Sequence, residues 1–324
     1  MKFDIKREFV INENNAPTKS SHASTVTVMD NGEIGVAWFG GTYEGKDDVD
    51  IWFSSKSKKG WRKPVRITAA DDIPHWNPVL FKNTDGSITL FFKVGKKISE
   101  WQTYYSVSYD YGKTWSSPVQ LVEGDVSGGR GPVKNKAIRL QSGRILAPSS
   151  SEQNKDWRCF IDISDDNGKT WSKTDFIERP KRYGKTVGMI QPTLWESSPD
   201  NVHMLVRTNS RYVYRSDSVD GGKSWCPAYK TGLFNNNSGI DIARMDNGRL
   251  FLVSNPVKEN WGERTPLTVV SSDDNGLTWG LGAVLESMPG EYSYPAIIAN
   301  GNELFVSYTW NRKYICFVKI TVTD

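Results

Sequence analysis

The sequence predicts an all-β protein, a six-bladed β-propeller with four-stranded antiparallel blades that takes in residues 1–324 as one domain. Three observations carry this: a tryptophan-ended motif repeating at a near-constant interval, a second series of turn signals in step with it, and a composition that favours short aromatic strands. The 324 residues include 13 Trp, 28 Gly and 15 Pro, a mixture suited to strands and turns rather than helices.

The motif Ser-x-Asp-x-Gly-x-Thr/Ser-Trp runs from Ser108 to Trp115, Ser164 to Trp171, Ser218 to Trp225 and Ser272 to Trp279, with a degenerate copy from Ser54 to Trp61. The tryptophans stand 54, 56, 54 and 54 residues apart, and 324 residues hold six such periods. Hairpin signals at Asp30-Asn31-Gly32, Asp85-Gly86, Ser142-Gly143, Asp200-Asn201, Asn247-Gly248 and Gly301-Asn302 give the same count of six. Four strands per period leave about 13 residues for each strand and its connection, an ordinary allowance. Periodic units of this kind stack around an axis. A last blade starting near Tyr292 has room for only three strands by Thr323, so Phe3–Ile11 is expected to supply the fourth and close the ring. Within the motif, the aspartate is placed to bond backbone N–H groups across the turn, the glycine to take a positive φ, and the tryptophan to pack between sheets. That is a structural role.

Lys and Arg number 41 against 37 Asp and Glu, a formal charge of +4, too small a surplus for a dedicated binder of nucleic acid or membrane. Cys159, Cys226 and Cys316 are odd in number and without CxxC spacing, which argues against a disulfide framework or a zinc site. The opening Met1–Glu8 lacks a leader's apolar stretch, so the chain as written is expected in the cytoplasm, or in the periplasm or outside the cell if a leader was removed. No cofactor is expected and no nucleotide, haem or flavin fingerprint is present. Calcium is the one metal that an acidic box turn could hold. Oligomeric state is not legible.

If the motif lies between the third and fourth strands, the other rim gathers the starts of the innermost strands and the ends of the second strands. His22, His75, Lys136, Gln191, Asn237, Tyr292 and Tyr294 fall at the starts; Trp38, Lys93, Arg207 and Trp310 fall at the ends. His22 and His75 read as equivalent positions of adjacent blades, whereas His203 lies mid-strand and reads as structural. Arg207, Arg264, Lys93, Lys136 and Arg130 suit an anionic ligand, arginine's fork matching a carboxylate. The aromatic groups suit the faces of sugar rings.

At these residues the chain resembles the sialidase superfamily, whose Asp-box (BNR) repeats the motif matches. The segment Ser254-Asn255-Pro256 through Arg264 to Leu267 resembles the one that carries the third arginine of the family's carboxylate-binding triad, and Arg207 resembles the second. Glu291-Tyr292-Ser293 resembles the segment of the tyrosine nucleophile. The stretch from Glu44 to Asp50 resembles the loop of the aspartate acid/base, its register open among Glu44, Asp47 and Asp48. Two places depart from the family pattern: Ser21-His22-Ala23-Ser24 stands where an Arg-Ile-Pro motif belongs, and Gly188-Met189-Ile190-Gln191 where the glutamate that activates the tyrosine belongs.

The resemblance implies an exo-acting hydrolase of a terminal anionic glycan, sialic or uronic acid. Arg207 and Arg264 would grip the carboxylate, Tyr292 would attack, and Glu44 or Asp47 would donate the proton. Lys136, Lys93, Arg130, Gln191, Asn237, Trp38, Tyr294 and Trp310 complete the expected binding set. The alternative is a lyase on a terminal uronate, such as a rhamnose–glucuronate linkage, with His22, His75 and Tyr292 moving protons. A glycan-binding propeller without catalysis is the third reading.

Overall fold

The computed structural model describes residues 1–68 and 72–323. Six antiparallel sheets follow one another along the chain. Blade one is built on Ser20–Val28, Ile34–Gly41 and Asp50–Ser57, with Gly60–Trp61 and Val65–Arg66 at its outer edge. Blade two uses His75–Lys82, Ile88–Val94, Gln102–Ser108 and Val119–Gln120; blade three uses Ile138–Arg139, Ile145–Ser151, Arg158–Ser164 and Ser172–Lys173. Blade four runs Met189–Ser198, Asn201–Thr208, Tyr212–Ser218 and Tyr229–Phe234, and blade five Asp241–Arg244, Leu250–Ser254, Leu267–Ser272 and Gly280–Glu286. Blade six takes Tyr292–Asn300, Glu303–Trp310 and Tyr314–Thr323 from the end of the chain and Lys2–Ile11 from its start. The register of that last pair runs from Lys2 opposite Thr323 to Ile11 opposite Ile315. Among the described residues no helix is long and apolar enough to cross a membrane.

The repeated motif forms the turn between third and fourth strands in four blades. In blade two, Ser108 Oγ donates to Asp110 Oδ1 (2.9 Å), the N–H groups of Lys113 and Thr114 donate to the same oxygen (3.1 and 2.8 Å), and Thr114 Oγ1 donates to Oδ2 (2.6 Å). Asp166, Asp220 and Asp274 repeat the pattern. Donors converge on each carboxylate, which is the environment of a satisfied turn and the opposite of the acceptor cage that calcium requires. Gly112 has φ +79°, and a Cβ there would stand 2.2 Å from the Phe53 ring of the preceding blade. Trp115 closes the turn by donating Nε1–H to the Gly112 carbonyl (3.2 Å) while its ring packs on Phe53. Each motif therefore fastens one blade to the one before it.

The opposite rim is shaped by a second, less visible repeat. The innermost strands of blades one, two, four and six each lose register with the second strand between His22 and Thr25, Trp76 and Val79, Ile190 and Thr193, and Ser293 and Ala296. In each break one residue has positive φ: Ala23 (52°), Asn77 (44°), Gln191 (54°) and Tyr294 (52°). Three of the four precede a proline, a position that ordinarily favours extended backbone. Left-handed backbone at such residues costs on the order of 1–3 kcal/mol each and persists where surrounding structure enforces it. The bulge also corrects the reading of the two histidines. Aligned on the bulge, His22 corresponds to Trp76, and His75 to Ser21, so the imidazoles occupy positions one residue apart and do not share a face.

Candidate functional site

Arg207 ends the second strand of blade four and is 3% exposed. Its Nε donates to Asn237 Oδ1 (2.9 Å), and its Nη1 to Gln191 Oε1 (3.0 Å) and to the Tyr294 hydroxyl (2.8 Å). The guanidinium lies 5.7, 5.8 and 5.7 Å from the rings of Trp157, Trp261 and Tyr294. All three hydrogen-bond partners are neutral. A buried cation so placed keeps its charge directed at whatever enters the mouth.

Two more arginines approach the same place from blades five and six. Arg264, in the long connection after Leu250–Ser254, donates to Glu291 Oε1 (2.8 Å) and Ser293 Oγ (3.2 Å), with its guanidinium 5.5 Å from the Tyr294 ring. Arg312, in the turn between the second and third strands of blade six, donates Nε–H to Glu291 Oε1 (2.5 Å) and is also bonded to Glu44. Its carbonyl accepts from Ser21 N–H and Ser20 Oγ (both 3.0 Å), which anchors it at the start of blade one. The mouth thus gathers three arginines, Arg207, Arg264 and Arg312, from blades four, five and six.

His22 sits among them, 1% exposed, with no hydrogen-bond partner on either ring nitrogen among the described residues. Its ring centroid is 4.4 Å from that of Tyr294 and 5.5 Å from that of Phe39. Burial, and then the charges of Arg312, Arg264, Arg207 and Lys134, hold its pKa well below the ordinary imidazole value. His22 is thus neutral near pH 7, with one nitrogen lone pair and one N–H unspent. Lys134, in the approach to blade three, donates to Asn135 Oδ1 (2.8 Å) and to the carbonyls of Ile240 (3.1 Å) and Pro295, and burial brings its pKa down to about 7.

The phenol of this constellation is that of Tyr294. Tyr292 packs instead in the hydrophobic core between blades five and six, beside Leu267, Tyr308 and Cys316. Burial and the neighbouring Glu286 push its pKa up. The reason is the bulge: Tyr294 is the left-handed residue, equivalent to Gln191, and two residues back the chain faces the core.

Other expected members are placed elsewhere. His75 belongs to the seam between blades one and two, 5.6 Å from the Phe92 ring and 3.6 Å from the Asp50 carboxylate. Lys136 is bound to Asp241 (3.0 Å to each oxygen) and the Ile242 carbonyl (2.6 Å). Asp241 also accepts from Thr193 Oγ1 and Ile297 N–H, so that pair is a staple joining blades three to six. Lys93 is buried at the seam of blades two and three, donating to Thr103 Oγ1 and the Arg130 carbonyl (both 2.7 Å), with its pKa lowered by burial to about 7. Arg130 pairs with the buried Asp162 (2.6 Å). Trp38 is fully buried in the core between blades six and one, and Trp310 packs on Phe9 and Tyr314. These residues are wedges and staples of the ring. Of the blade-one carboxylates, Glu44 touches Arg312, Asp47 lies on the exposed Lys96 (3.1 Å), and Asp48 accepts from Thr42 N–H and Oγ1.

Gln191, Asn237, Arg207, Arg264 and Tyr294 are brought together with His22, as the sequence places them on one rim. Glu152, Trp157, Glu291 and Trp261 join them from the connections between strands. Burial raises the pKa of the Glu152 carboxyl against the opposing pull of Arg207 and a hydrogen bond from Trp157. The signal that distinguishes Tyr294 from Tyr292 was present in the sequence as Asn77-Pro78, Gln191-Pro192 and Tyr294-Pro295, one residue–proline pair at the same point of three blades. Among the described residues no group of three or more His, Cys, Asp or Glu is placed to hold a metal ion.

A family described as a BNR repeat-like domain matches residues 32–306. Comparison with curated proteins gives no match. Among solved structures, the chain is similar to a Dyadobacter fermentans protein described as of unknown function, with a TM-score of 0.78 and 16% identity over 98% of this chain and 99% of that one. It is similar to the NanB sialidase of Streptococcus pneumoniae (TM-score 0.72, 13% identity, 97% of this chain and 70% of that one). A leech intramolecular trans-sialidase gives a TM-score of 0.75 at 12% identity, again over 97% and 70%. At these identities the likeness is one of fold.

Proposed function

The chain belongs to the BNR repeat-like family, and from that premise we propose that it is a carbohydrate-active enzyme of sialidase-like type, exo-acting on a glycan that ends in a sugar bearing a carboxylate. The observation that carries this reading is Arg207, buried with neutral partners only and joined by Arg264 and Arg312 around a neutral His22. A carboxylate that accepts from these guanidiniums gains charge-assisted hydrogen bonds in a site with little water. Trp157 and Trp261 offer faces for the sugar ring.

In hydrolysis Tyr294 is the nucleophile. Arg207 donates to its hydroxyl oxygen (2.8 Å), and His22, its ring centroid 4.4 Å from that of Tyr294, takes the proton as the bond forms. The C–O bond to the leaving sugar breaks as the Tyr294 oxygen bonds the anomeric carbon, and Glu152, whose carboxyl pKa burial raises, gives a proton to the departing oxygen. Water then displaces the tyrosine, with Glu152 as base.

The unspent nitrogens of His22 favour a second reading, elimination on a terminal uronate. There the arginines stabilise the enolate as His22 removes the C5 proton, and Tyr294 protonates the leaving oxygen. Incubation with sialyl-lactose and with uronate-terminated oligosaccharides, followed by mass spectrometry and ultraviolet absorbance, separates the two. A free acidic sugar supports hydrolysis; an unsaturated product lighter by one water supports elimination. Binding without turnover of any of them leaves a lectin.

A further inference from the structure

Between blades three and four the chain makes an extra hairpin, Lys181–Arg182 paired with Lys185–Thr186, on the rim of the mouth. It borders a groove of about 460 Å³ whose lining includes Arg182, Tyr183, Lys185, Arg211 and Asn260 and contains no acidic residue. Arg182 is fixed rather than loose: it is bonded to the Ser210 carbonyl, and its guanidinium lies 5.2 Å from the Tyr183 ring and 5.1 Å from the Tyr212 ring. Lys230 and Lys258 also stand over the Tyr212 ring, at 4.2 and 5.6 Å. Together with a hydrogen bond to Lys258, these charges hold the Tyr212 phenol below its ordinary pKa. Five cations thus gather on one arc of a chain whose whole surplus is +4.

The groove is wired to the primary site. Asn260, in its lining, accepts from Asn237 Nδ2 (2.9 Å), and Asn237 Oδ1 accepts from Arg207 Nε (2.9 Å). Trp261, 63% exposed beside Asn260, stands over Arg207. The groove therefore adjoins the mouth, with Trp261 between Arg207 and the groove's Asn260.

We propose that this groove is a second subsite that binds another anionic sugar of the same chain, through carboxylate or sulfate, so that the substrate is an acidic polysaccharide rather than a neutral glycan with one acidic end. The proposal rests on the carboxylate reading of the mouth. Tyr183, at the hairpin tip, supplies a ring face, and Arg182, Lys185 and Arg211 supply the donors. By contrast, the cleft on the opposite rim lined by Arg144, Asp165, Asp200, Asp220 and Lys223 mixes both signs and offers an anion no net attraction.

The test is calorimetric titration of the full chain with galacturonate monomer, galacturonate tetramer, a sulfated galactose tetramer and a neutral galactose tetramer. The galacturonate tetramer is expected to bind at least about tenfold more tightly than the monomer, and the Lys185→Ala/Arg211→Ala variant to bind both equally. Monomer binding in that variant stays unchanged, because neither residue touches the mouth. If the sulfated tetramer matches the galacturonate one, sulfate is included in the subsite's chemistry; if only galacturonate gains, the subsite is for carboxylates. Equal binding of monomer and tetramer, or a double variant that keeps the tetramer's advantage, overturns the proposal. So does a short single-stranded DNA that binds as tightly as the tetramer and loses binding in the same variant, since the arc is then a general polyanion surface. Failure of the mouth reading looks different: Arg207→Ala then leaves monomer affinity unaltered.

Discussion

The two rims of the ring treat the same problem, a tight polar turn in each blade, in opposite ways. On the motif rim, Asp110, Asp166, Asp220 and Asp274 repeat one geometry, and every carboxylate oxygen meets a donor of its own turn. On the mouth rim the backbone device also repeats, at Ala23, Asn77, Gln191 and Tyr294, but the side chain it carries differs each time and its neighbours are left with unspent charge and unpartnered nitrogens. Repetition with satisfied groups is scaffold. Repetition of the backbone alone, with the side chains released from the pattern, is where a symmetric ring makes an asymmetric site.

The sharpest way to break this contrast is to exchange the two tyrosines' roles. Tyr294→Phe removes the hydroxyl that Arg207 bonds, and kcat is expected to fall by about 10²–10⁴-fold, with the thermal midpoint little changed. Tyr292→Phe, in the core of blades five and six, is expected to leave kcat at the wild-type level. Equal losses in the two variants, measured on whichever acidic glycan is turned over, sink the assignment of the bulge residue as the mouth's phenol. Next in size is Arg207→Ala. Truncating a buried, hydrogen-bonded charge that meets a ligand costs about 2–5 kcal/mol, so kcat/KM should drop by on the order of 10²-fold, with both kcat and KM affected if the contact strengthens in the transition state. An unaltered kcat/KM removes Arg207 from the site.

The scaffold half of the contrast was readable from residue order, and the site half only in part. The motif spacing gave blade number, strand number and the closing role of Phe3–Ile11, because repeated turns obey local chemistry that a sequence spells out. The rim on which Arg207 and Gln191 stand also follows from that count, while Asn237 and Arg264 lie in connections beside it. The one-residue offset between His22 and His75, and the difference between Tyr292 and Tyr294, are hidden in residue order because a bulge shifts the side-chain alternation without changing the hydrophobic pattern around it. Lys93, Lys136, Arg130 and Trp38 sit at the predicted ends of strands, yet buried acceptors or core packing claim them, and such claims come from other blades. Glu152 and Arg312 follow directly on second strands and so share the legible rim, whereas Trp157 and Trp261 reach the mouth from loops, where the repeat says nothing.

A smaller effect tests the motif rim. Asp220 accepts from Ser218 Oγ (2.8 Å), Lys223 N–H (3.0 Å) and Ser224 N–H and Oγ (3.0 and 2.5 Å), which bring its pKa to about 2 despite the opposing effect of burial. Asp220→Ala should lower stability by about 1–3 kcal/mol and leave kcat/KM untouched, as judged by denaturant unfolding and by turnover. A loss of activity at unchanged stability would place function on the wrong rim. Because its folded pKa lies below the ordinary value of 3.8, the stabilisation is complete above that value and is lost as pH falls toward 2.

The last and smallest effect isolates the mouth's unspent imidazole. Desolvation and the charges of Arg312, Arg264, Arg207 and Lys134 depress the folded pKa of His22 from 6.5. In the unfolded chain the imidazole takes up a proton near that value while the folded protein still excludes it, so the unfolded state binds more protons and stability falls as pH falls. Between pH 7 and pH 6 this difference amounts to about 0.7 kcal/mol, and a His22→Gln variant, which has nothing to titrate, should lack it. Denaturant unfolding of the two proteins at both pH values, compared as a difference of differences, removes the contribution of His75 and His203, which both proteins share. An anion at the mouth offsets the arginines and makes the imidazolium less costly, so the same comparison with a saturating acidic monosaccharide should show a smaller gap. A gap that is absent without ligand would mean that the folded protein leaves the His22 pKa at its unfolded value, and a gap of opposite sign would mean that His22 is protonated in the folded protein; in the second case the neutral base on which both cleavage routes draw would have to be found elsewhere on the rim.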